Sequence, residues 1–232
     1  MRLARLLPRL AAAPGRCAVC GGWPALPLCE GCEARFGSTH PRCRRCALPV
    51  PEGVSACGAC VREPPPLDAC FAAVEYAYPW SGLVGRFKFH GEPGWAATLA
   101  RRMARAPGAA EELAHADLVL PMPLARGRLA ERGFNQALLL ARQLAADRTD
   151  AHLLLRLRET GSQTALDRTA RQRNVEGAFG VEPLRARELR GKGVVLVDDV
   201  MTSGASLHAA ARAVRQAGAV RVAAVVLART VL

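Results

Sequence analysis

Eight of the nine cysteines in this chain lie before residue 61, in four pairs of the form Cys-x-x-Cys. Two intervening residues let one tight turn present two thiolates to one metal ion, and structural Zn²⁺ is commonly held by four such ligands at tetrahedral angles. The spacing therefore predicts two structural zinc sites formed by adjacent pairs. The first candidate set is Cys17, Cys20, Cys29 and Cys32, and the second is Cys43, Cys46, Cys57 and Cys60.

The cysteine spacing leaves other arrangements open. Interleaved sharing of the pairs is one of them, because the segments between the pairs are shorter than in typical zinc sites. Disulfides, a redox dithiol and an iron–sulfur cluster are others. The start of the chain is not typical of an export signal, since Arg5, Pro8 and Arg9 interrupt it, and this disfavours disulfides. Four pairs rather than one disfavour a redox dithiol, so zinc is the preferred interpretation.

A second pattern with chemical content follows the apolar run 194–197. Two adjacent acids come first, and small hydroxyl residues around a glycine come next. These residues are Asp198 and Asp199, and then Thr202, Ser203, Gly204, Ala205 and Ser206. Backbone N–H groups in a loop between a strand and a helix form an anion site. The carboxylates would repel a phosphate, so we expect them to accept hydrogen bonds from sugar hydroxyls. An ordinary junction with a Ser N-cap is the alternative.

Four arginines are candidate ligands for a diphosphate. Arg126 and Arg132 follow a predicted strand that runs into Pro121, and guanidinium groups bind phosphate oxygens through paired hydrogen bonds. Arg171 and Arg173 lie in the polar, aperiodic stretch 158–178, which we interpret as a mobile loop able to close over a ligand. A solvated basic surface is the alternative for these side chains.

The elements that would position these residues alternate between strand and helix. Predicted strands cover 69–78, 117–120, 194–197 and 222–227, with another beginning at 153; predicted helices cover 80–89, 94–105, 134–146 and 206–216. Such alternation predicts an α/β domain with a mainly parallel sheet flanked by helices. The sequence Glu63-Pro64-Pro65-Pro66 is typical of a stiff linker. We therefore predict two domains, an N-terminal helix with a double zinc ribbon at 1–66 and the α/β domain at 67–232.

Composition narrows the class of protein. The formal net charge of +12 and the pI of about 10.1 favour anionic partners such as phosphates or nucleic acid. Nearly all of the basic residues are Arg, which a GC-rich genome would also produce, so the charge alone does not decide between partners. No apolar run approaches the ~20 residues that a membrane span requires. Without an export signal, we expect a cytoplasmic protein.

Several strings together resemble those of a known family. The stretch 194–206 resembles the phosphoribosyl diphosphate (PRPP) motif of type I phosphoribosyltransferases. With it occur the four cysteine pairs, Lys88-Phe89, Pro121-Met122-Pro123-Leu124, Arg132-Gly133-Phe134-Asn135-Gln136, and Gln163, Leu166, Arg171, Arg173, Asn174 and Phe179. This combination, which covers essentially the whole chain, is similar to the ComF/GntX family of competence-associated proteins.

The resemblance implies a double zinc ribbon fused to a type I phosphoribosyltransferase fold, with 67–116 contributing to a hood. It implies PRPP and Mg²⁺ as ligands, with Asp198 and Asp199 positioning the ribose. It also implies a role in natural transformation, where single-stranded DNA and the competence helicase machinery are expected partners. No base-specific pocket is readable from the sequence. Transfer to an unknown acceptor, PRPP sensing without turnover, and single-strand binding therefore stand as competing functions.

Overall fold

The computed structural model describes residues 15–23, 25–37, 39–158 and 177–231. The helix predicted for residues 1–13 and the arginines Arg171 and Arg173 lie outside these ranges. By its internal contacts the chain divides into two compact units, Met1–Gly37 and Ser38–Leu232. The boundary predicted at residue 66 falls inside the second unit, and it stays a prediction about which segments fold independently.

The described part of the first unit, residues 15–23 and 25–37, contains a tight turn and one short helix. In the turn, the N–H of Gly21 donates to the carbonyl of Cys17 at 2.9 Å, and Gly21 has a φ of +72°, which glycine adopts without strain. Helix α1, Glu30–Phe36, begins where the side chain of Cys29 accepts a hydrogen bond from the N–H of Cys32. The turn therefore carries the first cysteine pair, and the start of the helix carries the second.

The second unit contains a four-stranded sheet in which all neighbouring strands are parallel, in the order β1-β6-β5-β2. A separate antiparallel pair is formed by β3 and β4. The strands are β1 Ala69–Glu75, β2 Leu118–Pro121, β3 Leu154–Arg156, β4 Phe179–Val181, β5 Gly193–Met201 and β6 Arg221–Arg229. Strands β5 and β6 are almost continuously buried, which is typical of a parallel sheet covered on both faces.

The helices of this unit connect and cover the strands. They are α2 Gly58–Arg62, α3 Trp80–Phe89, α4 Trp95–Ala104, α5 Ala109–His115, α6 Arg126–Arg132, α7 Gln136–Ala145 and α8 Ala205–Gln216, with 3-10 turns at Ala146–Arg148 and Pro183–Leu189. Helices α4 and α7 pack on each other and on the sheet, and α8 packs on β4, β5 and β6. In the described part of the chain, no helix is both long and apolar enough to cross a membrane.

The second cysteine segment is part of the hydrophobic core of the second unit. Cys43, Cys46 and Ala47 belong to the same buried cluster as Leu196 of β5 and Leu207 of α8. This cluster takes alternate residues of the strands, as expected for one face of a sheet. The segment therefore shares its buried apolar surface with the α/β body.

The predicted α/β architecture with a mainly parallel sheet is confirmed, with one informative difference in β5. The apolar run predicts a strand over 194–197, but pairing with β6 continues through Asp198, opposite Val226, and Met201, opposite Arg229. Strand hydrogen bonds involve only the backbone, so acidic side chains do not end a strand whose neighbour continues beside it. The two acids thus lie within the strand rather than in the loop beyond it.

We predict that Leu196→Ala lowers the free energy of unfolding by about 2–5 kcal/mol, because it leaves a cavity beneath the central strand. Leu196 is fully buried in β5. Leu184→Ala is the matched control, because Leu184 is 86% exposed, and it should change stability by less than about 0.5 kcal/mol. Urea denaturation at a fixed zinc concentration measures both values. Equal losses in the two variants would contradict this assignment of the core.

Candidate functional site

Two clusters of four cysteines are candidate metal centres. Within each cluster all four sulfurs lie within 4.8 Å of one another, and the members are Cys17, Cys20, Cys29 and Cys32, then Cys43, Cys46, Cys57 and Cys60. Adjacent pairs therefore share a cluster, and interleaved sharing is wrong. All nine cysteines are free thiols.

The distances within the clusters fit zinc. The sulfur atoms of Cys20 and Cys29 are 3.7 Å apart, and those of Cys46 and Cys57 are also 3.7 Å apart. Four thiolates at about 2.3 Å from one Zn²⁺ in a tetrahedron lie roughly 3.8 Å from each other. Each cluster could therefore hold one zinc ion.

Backbone donors favour the thiolate form of one cysteine in each cluster, whereas burial raises the pKa values of Cys32, Cys46 and Cys60. Burial by itself raises the pKa of Cys17, but N–H groups of Cys20, Cys29 and Val19 outweigh it and lower that pKa to about 6. Cys43 has the same balance in the second cluster, with a pKa lowered to about 7. Metal ligation requires thiolates, so both clusters contain a cysteine that is ready to coordinate near neutral pH.

The carboxyl ends of β2 and β5 lie side by side, and we call the region around these ends and the loops that follow them the crevice. The two strands are parallel, with Pro121 opposite Val197. The chain after β2 continues on the far side of that strand, where Thr149 bridges to Val119, whereas β6 lies on the other side of β5. The order of connection thus reverses between β2 and β5, and ligands of open α/β sheets bind at such a reversal.

The acidic pair lies at this end of β5 and includes a buried ion pair. Asp199 is 2% exposed, and its Oδ2 lies 2.8 Å from Nζ of Lys88, which comes from α3. The other carboxylate oxygen of Asp199 accepts the N–H of Val200 at 2.7 Å, and Asp198 Oδ1 accepts the N–H of Asp199 at 2.9 Å. Removing either partner of such a pair would leave an uncompensated buried charge.

The two acids differ in electrostatic character. Burial, and next the negative charge of Asp199, raise the pKa of Asp198 to about 7, while Lys88 acts in the opposite direction. Asp198 therefore changes protonation near neutral pH, and a ligand that requires its carboxylate would have to hold it in the charged form.

The loop after the acids is shaped by Gly204. This residue has a φ of +82° and precedes the first turn of α8, where its carbonyl accepts the N–H of His208 at 2.8 Å. A Cβ at this position would lie 2.4 Å from Cε of Met201. Backbone conformation and packing therefore require glycine here, besides any need for a ligand to approach the backbone. Thr202 is exposed and Ser203 and Ser206 are half-buried, while Ala205 is buried.

The string 132–136 joins the loop after β2 to helix α7. Asn135 is the N-cap of that helix, and its Oδ1 accepts hydrogen bonds from the N–H groups of Ala137 and Leu138. Its side-chain amide also donates to the carbonyl of Met122 at 3.1 Å, and Gly133 ends α6 with a φ of +76°. The string thus holds the loop after β2 in place against helix α7, which accounts for its asparagine and its glycine.

Arg132 is the predicted arginine that the structure brings to the acidic pair. Its guanidinium lies 4.9 Å from the ring centre of the exposed Phe89. Burial lowers the pKa of Arg132, and the charges of Asp199 and Asp198 counteract this effect. Phe134 is half-buried and packs against the buried Phe87 with ring centres 5.8 Å apart.

Arg126 lies in a different part of the crevice from Arg132. It is exposed and lines a cavity of about 390 Å³ together with Arg156 and Arg158. Leu124, Ala125 and Leu157 complete this lining. Three guanidinium groups around one cavity favour a multiply charged anion.

Sequence reasoning missed three basic contributors to the crevice. Lys88 appeared only as part of a family string, although it is one of two lysines in an arginine-rich chain, and that rarity was a usable signal. Arg156 and Arg158 border a short strand whose pairing with β4 is not evident locally. Only the folded chain brings these residues to the ends of β2 and β5.

Comparison with known proteins agrees with this architecture. A family model described as "Phosphoribosyl transferase domain" matches residues 129–230. "DNA utilization protein YhgH" of Escherichia coli K12 is 30% identical over 235 residues, covering 94% of this chain and 98% of the relative. "Competence protein F" of Haemophilus influenzae is 32% identical over 197 residues, covering 82% and 85%. "Competence protein ComFC" of Bacillus subtilis is 34% identical over 103 residues, covering 44% and 39%.

The cysteine clusters, the parallel sheet and the similarity to the Escherichia coli and Haemophilus influenzae relatives over most of their length lead to one assignment: the chain belongs to the ComF family, whose type I phosphoribosyltransferase fold follows an N-terminal segment with two zinc-ribbon cysteine clusters.

Proposed function

We propose that this protein binds PRPP in the crevice between β2 and β5 and uses it in the uptake or use of DNA. The observation that supports the proposal is that β5 ends in two acids followed by a loop with a positive-φ glycine at the start of α8, at the reversal of strand order. The names of the relatives, "Competence protein F" and "DNA utilization protein YhgH", support the second half of the proposal.

Each part of PRPP has a matching group in the crevice. The 5′-phosphate would bind to the N–H groups and hydroxyls of the loop 202–206, at the first turn of α8. The ribose hydroxyls would donate to Asp198 and Asp199, which are held by their backbone hydrogen bonds. The diphosphate would meet Arg132 and the cavity beside Arg126. Arg171 and Arg173 remain the proposed lid.

Bound PRPP has two alternative uses. In transfer, an acceptor atom bonds to the anomeric carbon of the ribose while the bond to diphosphate breaks, and diphosphate leaves with the electron pair. In sensing, PRPP binds without turnover and reports on nucleotide precursors. Release of diphosphate from PRPP with a panel of nucleobases distinguishes the two uses.

Not all carboxylate oxygens of the acidic pair are available as Mg²⁺ ligands. Lys88 already neutralises Asp199 Oδ2, so this oxygen is not available as a metal ligand while the ion pair persists. Mg²⁺ keeps several waters and is usually held through substrate phosphates and one or two carboxylates. We therefore propose that Mg²⁺ arrives on the diphosphate of PRPP, and that Asp198 is the nearest carboxylate to contact it.

A second candidate function, binding of single-stranded DNA, has its own structural support. A cavity of about 440 Å³ lies between the second cysteine segment and β1. His40, Arg42 and Arg44 line it together with the ring of Phe71. Basic side chains beside an aromatic ring are the usual means of holding a nucleic-acid strand without sequence preference. This function is compatible with PRPP binding in the separate crevice.

We predict that PRPP binds to the zinc-loaded full-length chain at 1:1 stoichiometry in titration calorimetry, and more tightly with Mg²⁺. Asp198→Asn should weaken binding on the order of 1–3 kcal/mol, because charged hydrogen bonds to the ribose are lost. Asp117→Asn is the matched control. Asp117 pairs with Lys192 at the opposite end of β2 from the crevice. No binding by the parent chain would refute the PRPP site.

The same Asp198→Asn variant should be more stable than the parent above pH 7. The pKa of Asp198 is raised to about 7 in the folded chain, so ionisation of this acid destabilises the fold progressively from about pH 4 to pH 7. Asn cannot ionise, and its advantage should be on the order of 1–3 kcal/mol at pH 8 and should shrink toward pH 4. Thermal unfolding across this pH range measures it, and a gain that does not depend on pH would contradict this cause.

We predict two zinc ions per chain, with different structural consequences. The double variant Cys17→Ser/Cys20→Ser should retain one zinc and leave the unfolding temperature of the second unit unchanged. Cys43→Ser/Cys46→Ser should also retain one zinc but destabilise that unit, since both residues belong to its core. Elemental analysis and calorimetry measure the two effects. Fewer than two ions in metal-replete, reduced parent chain would refute the two-site proposal.

At the cavity lined by His40, Arg42 and Arg44, Arg44→Glu should weaken binding of a labelled oligothymidine. The slope of its affinity against salt concentration should fall by the amount that about one phosphate contact contributes. PRPP affinity should be unchanged. Arg62→Glu makes the same charge change on an exposed arginine of helix α2 that does not line the cavity. Fluorescence anisotropy over a series of salt concentrations measures both affinities. Equal effects of the two substitutions would mean that DNA responds to the general charge of the protein and not to this cavity.

A further inference from the structure

The side chain of Arg229 joins the second cysteine cluster to the loop 202–206. Arg229 ends β6 and is only 4% exposed. Its Nε donates to the carbonyl of the cluster residue Cys46 at 2.8 Å. Its Nη1 donates to the carbonyl of Met201 at 3.1 Å and to that of Thr202. One buried guanidinium thus holds backbone from two elements that are far apart in the sequence.

These bonds determine which way the loop's N–H groups face. In a planar trans peptide the C=O of one residue and the N–H of the next point in opposite directions. Because the carbonyls of Met201 and Thr202 point toward Arg229, the N–H groups of Thr202 and Ser203 point away from it. The buried cation therefore orients two donors away from the core, as an anion-binding loop requires.

On the other side of Arg229, the backbone of the second cluster is strained. Ala47 follows Cys46 as Gly21 follows Cys20 in the first cluster, and it has a φ of +56°. An alanine in this left-handed conformation costs roughly 1–2 kcal/mol, which persists only when its surroundings enforce it. The carbonyls on either side are held by arginines, that of Cys46 by Arg229 and that of Ala47 by Arg42 at 3.0 Å.

We propose that Arg229 is a positioning residue that makes the phosphate loop dependent on the second zinc site. Metal at Cys43, Cys46, Cys57 and Cys60 fixes the carbonyl of Cys46. That carbonyl orients the guanidinium, which in turn presents the loop's N–H groups to the phosphate. The first cluster has no part in this chain of contacts. The proposal rests on the PRPP site proposed above, but the coupling between cluster and loop exists without ligand and can be measured without it.

Hydrogen exchange of the zinc-loaded full-length chain tests the ligand-free coupling. The amides of Thr230 and His208 report on the loop, because they donate to the carbonyls of Met201 and Gly204. In Arg229→Met these two amides should exchange at least tenfold faster than in the parent, with a smaller effect in Arg229→Lys, which keeps one donor group. Exchange in β2 serves as the internal reference for an intact fold. Arg215→Met is the matched control, because Arg215 also links α8 to the segment after this cluster, through Pro66 and Asp68. Unchanged loop exchange in Arg229→Met would overturn the proposal.

A reciprocal measurement distinguishes positioning from mere stability. In the Cys17→Ser/Cys20→Ser chain, which keeps only the second zinc site, saturating PRPP should slow zinc release to a chromogenic chelator at least threefold. Adding Arg229→Met should abolish this protection, while the Cys43→Ser/Cys46→Ser chain should show none. Protection that persists in Arg229→Met would overturn the proposal. If the parent binds no PRPP, the PRPP site fails, and the loop exchange rates still decide the coupling.

Discussion

The parallel pairing of β5 with β2 on one side and β6 on the other sets the position of every group in the candidate site. Parallel strands finish at the same edge of a sheet, so the acids and loop of β5, the loop after β2 and Arg229 at the end of β6 all arrive together. The reversal of connection between β2 and β5 then opens a crevice at that edge. A change that shifted the register of β5 by one residue would turn the side chain of Asp198, and likewise that of Asp199, to the other face of the sheet.

The edge of the sheet concentrates charged groups that are unfavourable to bury. Lys88 compensates Asp199, while Arg229 donates hydrogen bonds to four backbone carbonyls. Asp198 is left with a raised pKa. These charged residues are not needed for stability, since apolar residues of similar volume would make the fold as stable or more stable. Local departures of this kind are expected where a binding site has been built into a fold.

The sequence allowed most of the architecture to be predicted, because continuous apolar runs, helical periodicity and cysteine spacing are local signals. The helix 80–89 was predicted with the observed limits, and the adjacent pairing of the cysteines was confirmed. The rarity of lysine marks Lys88, but its partner Asp199 and the roles of Arg156 and Arg229 were not predictable, because each depends on a contact distant in sequence. The extension of β5 through its two acids was missed for the same reason, since only the neighbouring β6 reveals it. Arg171 and Arg173, which were predicted to belong to a lid, lie outside the described residues.

The position of β6 has a consequence for the nascent chain. This strand comes after the other five along the sequence but lies between β1 and β5 in the sheet. While the ribosome is still translating residues 221–229, β1 lacks the strand it pairs with and β5 has an open edge. The cysteine clusters are complete once residue 60 has emerged, so metal can be captured long before the sheet can close. The edges of β1 and β5 therefore stay unpaired until residues 221–229 have emerged, and unpaired strand edges are sites where chains can aggregate.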